Sequence, residues 1–315
     1  MIRKALKISQ KNIKINKYQI NNQNKMTKIK DKTVLVTGGA SGIGKMLGEK
    51  CLKQGASSLV IWDIHKQNLA MVAEELREKG YIVHAYLVDV SSLDDIRRAA
   101  TLTLSEVGRI DILFNNAGII VGKSFTEHTH EDIERTIRIN VLGVMHVARV
   151  FGGEMIRQGS GHIINIASAA GLVPNPKMSV YAGSKWAVLG FSESIRLEFE
   201  ALNEELGFDL HVTTVTPSYI DTGMFTGVKA PLLAPLLKPE DITDDILEAV
   251  RSNDIILRAP WSVYLIPVLR GILPARVFDM VVGYGLNIYS SMTSFVGRTT
   301  QDAVPNEKTD KVKMN

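Results

Sequence analysis

From Thr33 onward, the sequence alternates short apolar runs with stretches in which apolar residues recur every three or four positions. The apolar runs are nearly continuous and rich in β-branched residues, which is typical of strands buried on both faces of a parallel sheet. These runs are TVLVTG (33–38), SSLVIWD (57–63), YIVHAYLVD (81–89), IDILFNNAG (110–118), HIINIAS (162–168), LHVTTVTP (210–217) and DIILRAP (254–260). Helical segments are predicted between them at 43–54, 66–79, 93–107, 131–151 and 180–206.

Strands and helices that alternate in this way predict an α/β fold with right-handed crossovers. We expect a doubly wound parallel sheet of about seven strands, with helices on both faces, in a single domain. The 315 residues, 45% of them hydrophobic, are enough for one large core. The predicted segments are a basic leader (1–31), the main domain (32–258), an apolar helical extension (259–300) and a polar tail (301–315).

The leader accounts for the positive charge of the chain. Residues 1–32 hold ten Lys or Arg and one acid, which leaves 27 basic and 32 acidic residues in the rest. The leader lacks Arg clusters and interleaved aromatics, so we expect no nucleic-acid partner. It also lacks the apolar region and cleavage site of a signal peptide. We interpret it as disordered, or as translated ahead of a true start at Met26.

Cysteine and histidine usage excludes two further classes of site. The single cysteine, Cys51, cannot form an internal disulfide, which fits a reducing compartment and predicts a cytoplasmic protein. Among the seven histidines, His128 and His130 are two residues apart and cannot share a helix face. No other pair has metal-ligand spacing, so we expect no metal site.

The stretch TGGASGIG, residues 37–44, follows the first predicted strand and opens the first predicted helix. Glycines in such a turn let backbone N–H groups approach a pyrophosphate at a helix N-terminus. On its own the turn is also consistent with glycines that only tighten a loop. An acid about 20 residues further on strengthens the first interpretation and predicts a Rossmann-like fold. The candidate cofactor-binding residues of the turn are Gly38, Ser41, Gly42, Ile43 and Gly44.

The acid is Asp63, at the end of the second predicted strand. Its carboxylate is placed to accept hydrogen bonds from the ribose hydroxyls of NAD and to repel the 2′-phosphate of NADP. No Arg follows it in DIHKQ, and Ser41 rather than Arg precedes Gly42. The sequence therefore predicts NAD, in preference to NADP, as the cofactor.

Further motifs stand in one order along the chain: Asp89 in VDV, NNAG at 115–118, Asn140 in IRIN, Ser168 in INIAS, and YAGSK at 181–185. With the glycine turn, they make residues 32–250 resemble the short-chain dehydrogenase/reductase family. The resemblance implies that Asp89 and Val90 hold the adenine and that NNAG supports the central strand behind the cofactor. It also implies contacts with the nicotinamide end. The cofactor-binding residues implied in this way are Asp89, Val90, Asn116, Ala117, Gly118, Tyr181, Lys185, Pro217, Ile220 and Thr222.

Tyr181 and Lys185 are four residues apart at the start of a predicted helix, so their side chains share one face. A nearby positive charge favours a phenolate, so we expect Lys185, together with the positive nicotinamide ring of the oxidised cofactor, to lower the pKa of Tyr181 and to make it an acid/base group. Ser168 ends the preceding strand, where its hydroxyl can hold the oxygen of a substrate. The resemblance adds Asn140 as a water-mediated link to Lys185. An exposed pair and a turn serine are the ordinary alternatives.

Apolar positions after the sixth strand predict an oily substrate. The loop at 218–241 carries Leu232, Leu233, Leu236 and Leu237 between prolines, and loops of this length are commonly lids. The region 261–296 is apolar and aromatic but is interrupted by prolines and charges, so it predicts no transmembrane helix. It is consistent with a cover for the site, an oligomer contact or a peripheral membrane contact.

These observations predict an enzyme that interconverts a lipophilic alcohol and its carbonyl with NAD(H). The segments LVIWDI, NNAGI and TPSYIDTGMF resemble those of family members that act on retinoids and hydroxysteroids. A 3-oxoacyl thioester reductase and a non-catalytic dinucleotide-binding sensor or scaffold are the alternatives. We also expect a homodimer or homotetramer, with peripheral membrane association through 261–296.

Overall fold

The computed structural model describes residues 26–297. Its core is a seven-stranded parallel sheet with the strand order β3-β2-β1-β4-β5-β6-β7. The strands are β1 (Thr33–Thr37), β2 (Ser58–Asp63), β3 (Val83–Leu87), β4 (Ile112–Asn115), β5 (Ser160–Ile166), β6 (Asp209–Pro217) and β7 (Ile256–Ala259). The predicted doubly wound sheet is therefore confirmed, and each predicted strand lies in it.

The helices cover both faces of the sheet. They are α1 (Gly42–Lys53), α2 (Lys66–Glu78), α3 (Leu93–Val107), α4 (His130–Ile137), α5 (Val144–Gln158), α6 (Ser179–Leu206), α7 (Pro239–Ser252), α8 (Leu265–Ile272) and α9 (Ala275–Phe278). The stretch predicted as one helix over 131–151 is interrupted by a wide π-helical turn, Arg138–Gly143. Helix α7, which Pro239 opens, was not predicted at all.

The near-continuous apolar runs arise because both faces of each central strand are covered. In β1, Val34 and Val36 pack into the core beneath α1, α2 and α7. Leu35, between them, packs into the second core with residues of α3, α5 and α6. Successive side chains of a strand point to opposite faces, so a strand buried on both sides needs apolar residues at every position.

The chain reaches the fold before the predicted boundary at residue 32. The Thr27 N–H donates to the Arg251 carbonyl (3.0 Å), and Ile29 is buried in the first core. Residues 26–31 therefore belong to the body, because they close its edge beside α1 and α7. The rest of the predicted leader and the polar tail from 301 lie outside the described residues.

After β7, the extension packs as short helical pieces over the sheet's carboxyl edge. A 3₁₀ turn (Trp261–Tyr264) precedes α8 and α9, and a π-helical segment (Asp279–Tyr284) follows them. Its inward side chains Val263, Ile266, Phe278 and Val282 pack against residues 169–173. Of the described helices, the one long and apolar enough to cross a membrane is the continuous stretch His130–Gln158, which comprises α4, the π-helical turn and α5, and half of its most apolar 18-residue window is buried.

Candidate active site

A cleft of about 250 Å³ lies over the carboxyl ends of the central strands. In the sheet, β2 lies on one side of β1 and β4 lies on the other, so the order of the strands reverses direction at β1. Open α/β sheets bind ligands at such a switch point. The cleft brings together most of the predicted site residues, namely Gly38, Ser41, Gly42, Ile43, Asp63, Asp89, Val90, Asn116, Ala117, Gly118, Ser168, Tyr181, Lys185, Pro217, Ile220 and Thr222. The predicted residues Gly44 and Asn140 do not line it.

The glycine turn has the backbone shape that phosphate binding requires. Gly38 and Gly42 have φ values of +64° and +53°, which residues with a side chain rarely adopt. Ser41 caps α1 without a side-chain hydrogen bond, and the first turn of α1 carries no acid. The helix N-terminus therefore presents unmatched N–H groups and a positive field to the cleft, which fits the pyrophosphate of a dinucleotide.

Gly44 contributes by packing and not by lining the cleft. A Cβ atom at this position would lie 2.3 Å from the Gly38 carbonyl oxygen and 2.5 Å from Asn116 Nδ2. Its missing side chain lets α1 approach the glycine turn and the end of β4. Gly44 therefore has a role in close helix packing, and its contact with the cofactor stays a prediction.

Asp63 ends β2 and is almost fully buried at the floor of the cleft. One carboxylate oxygen accepts from the Ala40 N–H (2.9 Å) and the other accepts from the His65 N–H (2.9 Å). These bonds fix the carboxylate, whose remaining acceptor sites are available to ribose hydroxyls. Among the residues that line the cleft, the basic side chains are His65, Arg135 and Lys185. Sequence reasoning missed Arg135, which stands on α4.

The NNAG segment ties the end of β4 to the glycine turn. Asn116 Nδ2 donates to the carbonyl oxygens of Thr37 (3.0 Å) and Gly38 (3.1 Å). In return, Thr37 Oγ1 accepts from the N–H groups of Asn116 and Ala117, at 3.1 Å each. The hydrogen bonds hold two parallel strands in register at the cleft, which agrees with the supporting role that the family resemblance implied.

Tyr181, Ser168 and Lys185 form a buried polar cluster where β5 and α6 meet. Burial raises the pKa of Tyr181 to about 12, although a hydrogen bond with Ser168 lowers it in part. We expected the Lys185 ammonium to lower the pKa of Tyr181. The net direction is the opposite, because loss of water around a phenolate outweighs the nearby groups.

Lys185 is also buried, and burial lowers the pKa of its ammonium to about 8. Its Nζ atom donates to the Ile166 carbonyl (2.8 Å) and lies 5.7 Å from the centroid of the Tyr181 ring. The lysine therefore stands beside the tyrosine ring on the same helix face, as its spacing predicted. The pKa of Lys185 therefore lies below the usual value of 10.5.

Asn140 lies behind the cleft, in the π-helical turn. Its Oδ1 atom accepts from the Ile119 N–H (2.9 Å), while Nδ2 donates to the Ile119 carbonyl (2.9 Å) and to Ser184 Oγ (3.0 Å). A Cβ atom on Gly118 would lie 3.3 Å from Asn140 Oδ1 and 3.6 Å from Lys185 Nζ. Both polar atoms thus lie close to Gly118, and the water-mediated link between Asn140 and Lys185 stays a prediction.

A second cavity of about 280 Å³ opens beside the buried polar cluster of Tyr181, Ser168 and Lys185. It shares Ser168 and Ser218 with the cleft, and most of its other lining residues are apolar side chains from residues 169–178, 231–234 and 263–288. Polar groups enter at Asn175 and Tyr219: Asn175 Nδ2 donates to the hydroxyls of Tyr219 and Ser291, at 2.9 Å each. Sequence reasoning missed these residues, although Tyr219 stands between two predicted cofactor contacts.

The leucine-rich loop forms less of the cavity than predicted. Leu233 lines it, whereas Leu232 and Leu236 point to the exterior and Leu237 packs against the first core. From the extension, Leu265 and Ile266 line the cavity, but Trp261 and Tyr264 are exposed. The spacing of apolar residues along the loop could not distinguish these positions, because the loop has no regular periodicity.

A family model described as short chain dehydrogenase matches residues 32–232. This match covers the glycine turn, the NNAG segment and the cluster of Ser168, Tyr181 and Lys185. The chain belongs to the short-chain dehydrogenase/reductase family. The resemblance drawn from the motifs is confirmed, and the chain is an oxidoreductase of the class that interconverts alcohols and carbonyl compounds.

Two curated relatives match most of this family member. Epidermal retinol dehydrogenase 2 of Mus musculus is 34% identical over 268 residues, which cover 84% of this chain and 85% of that protein. Estradiol 17-beta-dehydrogenase 11 of Homo sapiens is 32% identical over 262 residues, which cover 80% and 86%. Retinoid and hydroxysteroid dehydrogenases are therefore among its relatives.

Solved structures of the family share its architecture. A short chain dehydrogenase/reductase from Burkholderia phymatum in complex with NAD has a TM-score of 0.68 and 25% identity, over 82% of this chain and 97% of that one. A short-chain dehydrogenase from Sphingobium yanoikuyae in complex with NADPH has a TM-score of 0.66 and 29% identity, over 80% and 95%. The family cofactor is thus a nicotinamide dinucleotide, in either of two forms.

Proposed function

We propose that this family member is an NAD(H)-dependent oxidoreductase that interconverts a lipophilic alcohol, of retinoid or hydroxysteroid type, and its carbonyl. The observation that carries the proposal is the junction of the two cavities. The cleft with the glycine turn and the largely apolar cavity share a wall at Ser168 and Ser218, and Tyr181 lines the cleft at that junction. A substrate that fills the apolar cavity would present its oxygen to the buried hydroxyls.

In alcohol oxidation, Ser168 Oγ holds the substrate oxygen, and Tyr181 in its phenolate form takes the hydroxyl proton. A nicotinamide dinucleotide held by the glycine turn and Asp63 would supply the hydride acceptor, so that the C=O bond would form as the C–H and O–H bonds break. In carbonyl reduction, Tyr181 returns the proton. Lys185 holds its ammonium beside the Tyr181 ring, where it stabilises the phenolate relative to the phenol.

The proton of Tyr181 needs an exit because the residue is buried. Lys185 Nζ and Asn140 Oδ1 both lie close to Gly118, and a water molecule that links these two atoms would carry the proton away. Asn140 is a positioning residue in this scheme. It is held by both backbone groups of Ile119 and does not line the cleft.

NAD is preferred over NADP in this proposal because of Asp63. The carboxylate is pinned by two backbone N–H groups and lies in the cleft wall. A 2′-phosphate placed against it would bring two anions together in a partly dehydrated site. Arg135 also lines the cleft, and its positive charge would offset this effect if the 2′-phosphate reached it.

Substrate size follows from the cavity. Its volume of about 280 Å³ is close to the lower end of the range for small-molecule sites. Apolar area removed from water stabilises binding by roughly 25 cal/mol per Å². A large apolar alcohol therefore gains several kcal/mol from these walls, whereas a short polar alcohol leaves most of them uncovered.

The test measures the initial rate for several alcohols, each with NAD and with NADP. Initial rates are followed at the absorbance of the reduced nicotinamide with a retinoid alcohol, a hydroxysteroid and a short hydroxy acid. We expect kcat/KM to be highest with NAD and a large apolar alcohol. Equal efficiency with the hydroxy acid and the steroid, or a preference for NADP, would contradict the proposal.

A further inference from the structure

Around the mouth of the apolar cavity, large apolar side chains stand in water. Ile272, Tyr284, Leu232 and Trp261 are 73%, 72%, 69% and 67% exposed. We use the name apolar rim for these four residues together with six further exposed apolar residues: Leu233, Tyr264, Leu265, Val268, Met280 and Val281. Exposed apolar side chains that cluster in one region, unlike isolated ones, mark a binding surface.

The apolar rim is one surface although its residues come from three segments. Ser262 Oγ donates to the Leu233 carbonyl (2.6 Å), which joins the 3₁₀ turn to the loop after β6. The Leu232 N–H donates to the Leu286 carbonyl (3.1 Å), which joins the same loop to the end of the extension.

The rim is continuous with the cavity. Leu233, Leu265 and Val281 line the cavity and are at the same time more than two-fifths exposed. The cavity wall therefore runs outward into the rim. A ligand entering along this wall meets apolar side chains from the surface to Ser168.

The charges on the same segments favour one type of partner. Residues 223–238 and 258–297 contain five basic side chains, namely Lys229, Lys238, Arg258, Arg270 and Arg276. Asp279 is the one acidic side chain in these two ranges, and it lies 3.8 Å from Arg276. Exposed apolar side chains on segments that carry a net positive charge complement an anionic lipid surface. A second copy of the chain would instead bring like charges together.

The geometry suits a surface contact and not a span. The apolar helical stretch Trp261–Ile272 is shorter than the roughly 20 residues that a transmembrane helix needs. Apolar side chains lie on two of its faces: Val263 and Ile266 pack against the body, while Trp261, Val268 and Ile272 face outward. Such a helix lies in the plane of a membrane interface.

We propose that the apolar rim seats on an anionic lipid bilayer and that the cavity takes its lipophilic alcohol directly from the lipid phase. Binding of the apolar rim to the bilayer does not depend on the reaction, whereas the identity of the entering ligand rests on the proposed function. A substrate that partitions into the bilayer thereby reaches Ser168 and Tyr181 without crossing bulk water.

The test uses the full chain with vesicles of phosphatidylcholine alone and of phosphatidylcholine with phosphatidylserine. The rim variant carries Trp261→Ser, Ile272→Ser and Tyr284→Ser, none of which lines the cavity. The matched control carries Met71→Ser, Ile82→Ser and Leu197→Ser, at similarly exposed positions of other segments. Both variants keep the basic residues 1–32, so the control sets the background that those residues contribute.

We expect the wild type and the control to float with phosphatidylserine vesicles, and the rim variant to lose at least tenfold in its vesicle partition coefficient. In a Trp186→Phe background, the emission of Trp261 should shift to the blue with vesicles, because Trp62 is already fully buried. Unchanged cofactor affinity and melting temperature would show that the rim variant is folded.

Three results would overturn the proposal. The first is that the rim variant and the control partition equally onto the vesicles, and the second is that the emission of Trp261 does not shift. The third is that the wild type is a dimer and the rim variant a monomer, while neither protein binds vesicles. The third result would assign the rim to a second copy of the chain. Vesicle binding that depends on the rim, without turnover of any lipophilic alcohol, would uphold the seating and refute the proposed function.

Discussion

The cofactor cleft and the apolar cavity share a wall but are built in different ways. The cleft is assembled from the carboxyl ends of consecutive strands and from backbone groups in short turns, such as Gly38 and Gly42. The cavity is assembled from side chains of segments that are far apart along the chain, such as Val173, Leu233 and Val282. Motifs of neighbouring residues therefore predict the cleft, whereas long-range packing decides the cavity.

The chemistry of the two regions differs as much as their construction. The cleft holds charged groups, among them Asp63, Arg135 and Lys185. Of the side chains that line the cavity, Tyr219 is the one that titrates, and burial raises its pKa. We therefore expect changes in the cleft to affect turnover and cofactor choice, and changes in the cavity to affect substrate size.

The largest expected effect is on turnover, from Tyr181→Phe. The change keeps the ring and removes the hydroxyl that transfers the proton, so kcat should fall by about 10²–10⁴-fold. Affinity for NAD, measured by tryptophan quenching, should stay within a factor of a few. The matched control is Tyr219→Phe in the cavity wall, which should retain turnover. If Tyr181→Phe were nearly as active as the wild type, Tyr181 could not be the group in the cleft that transfers the proton.

A smaller effect is expected on cofactor choice from Asp63→Asn. The amide oxygen can still accept a backbone N–H bond, but the negative charge is gone. The ratio of kcat/KM for NAD over NADP should narrow by about 10–100-fold, which corresponds to about 1.4–2.8 kcal/mol. The KM for NADP should carry most of the change. A wild-type preference for NADP would show that Arg135, and not Asp63, governs this end of the cleft.

The pH dependence separates the two regions directly. Lys185 has a pKa lowered to about 8, so its ammonium predominates below that pH and is lost above it. Carbonyl reduction relies on this charge, and kcat should fall up to about tenfold for each pH unit above about 8. The KM for a lipophilic ketone should stay constant between pH 6 and 9, since no cavity group titrates there. A flat kcat profile up to pH 10 would contradict the role of Lys185.

The smallest expected effect compares two leucines of the same loop. Leu233 and Leu236 are 45% and 42% exposed, but Leu233 also lines the cavity. Leu233→Ser should raise the KM for a steroid-sized alcohol by about three- to tenfold, which corresponds to about 0.7–1.4 kcal/mol of lost apolar contact. Leu236→Ser should leave it unchanged, and neither variant should alter the KM for a short alcohol. Equal effects of both changes would place the substrate outside this cavity.

The sequence determined the elements that depend on neighbouring residues. Apolar runs buried on both faces gave the seven strands, because a strand between two helical layers needs apolar residues at successive positions. The glycine turn, Asp63 and the spacing of Tyr181 and Lys185 placed the cleft, since strand ends of a parallel sheet share one edge. Each of these features is encoded within a few residues.

The sequence was a poorer guide where a residue's role depends on distant packing. It did not predict that α1 packs closely against the glycine turn at Gly44. It predicted a lowered pKa for Tyr181, but burial by segments from elsewhere in the chain raises it. It also missed α7 and the interruption of the helix at Asn140.

Only the tertiary structure decided which apolar residues form the substrate cavity. Leu232, Leu233, Leu236 and Leu237 are alike in sequence, yet one lines the cavity, one joins the core and two face outward. In an irregular loop, no periodicity fixes the direction of a side chain. Hydrogen bonds from Ser262 and to Leu286, in a segment that begins more than twenty residues later, fix the loop instead. Packing across the chain, and not the local pattern, thus separates the substrate wall from the apolar rim.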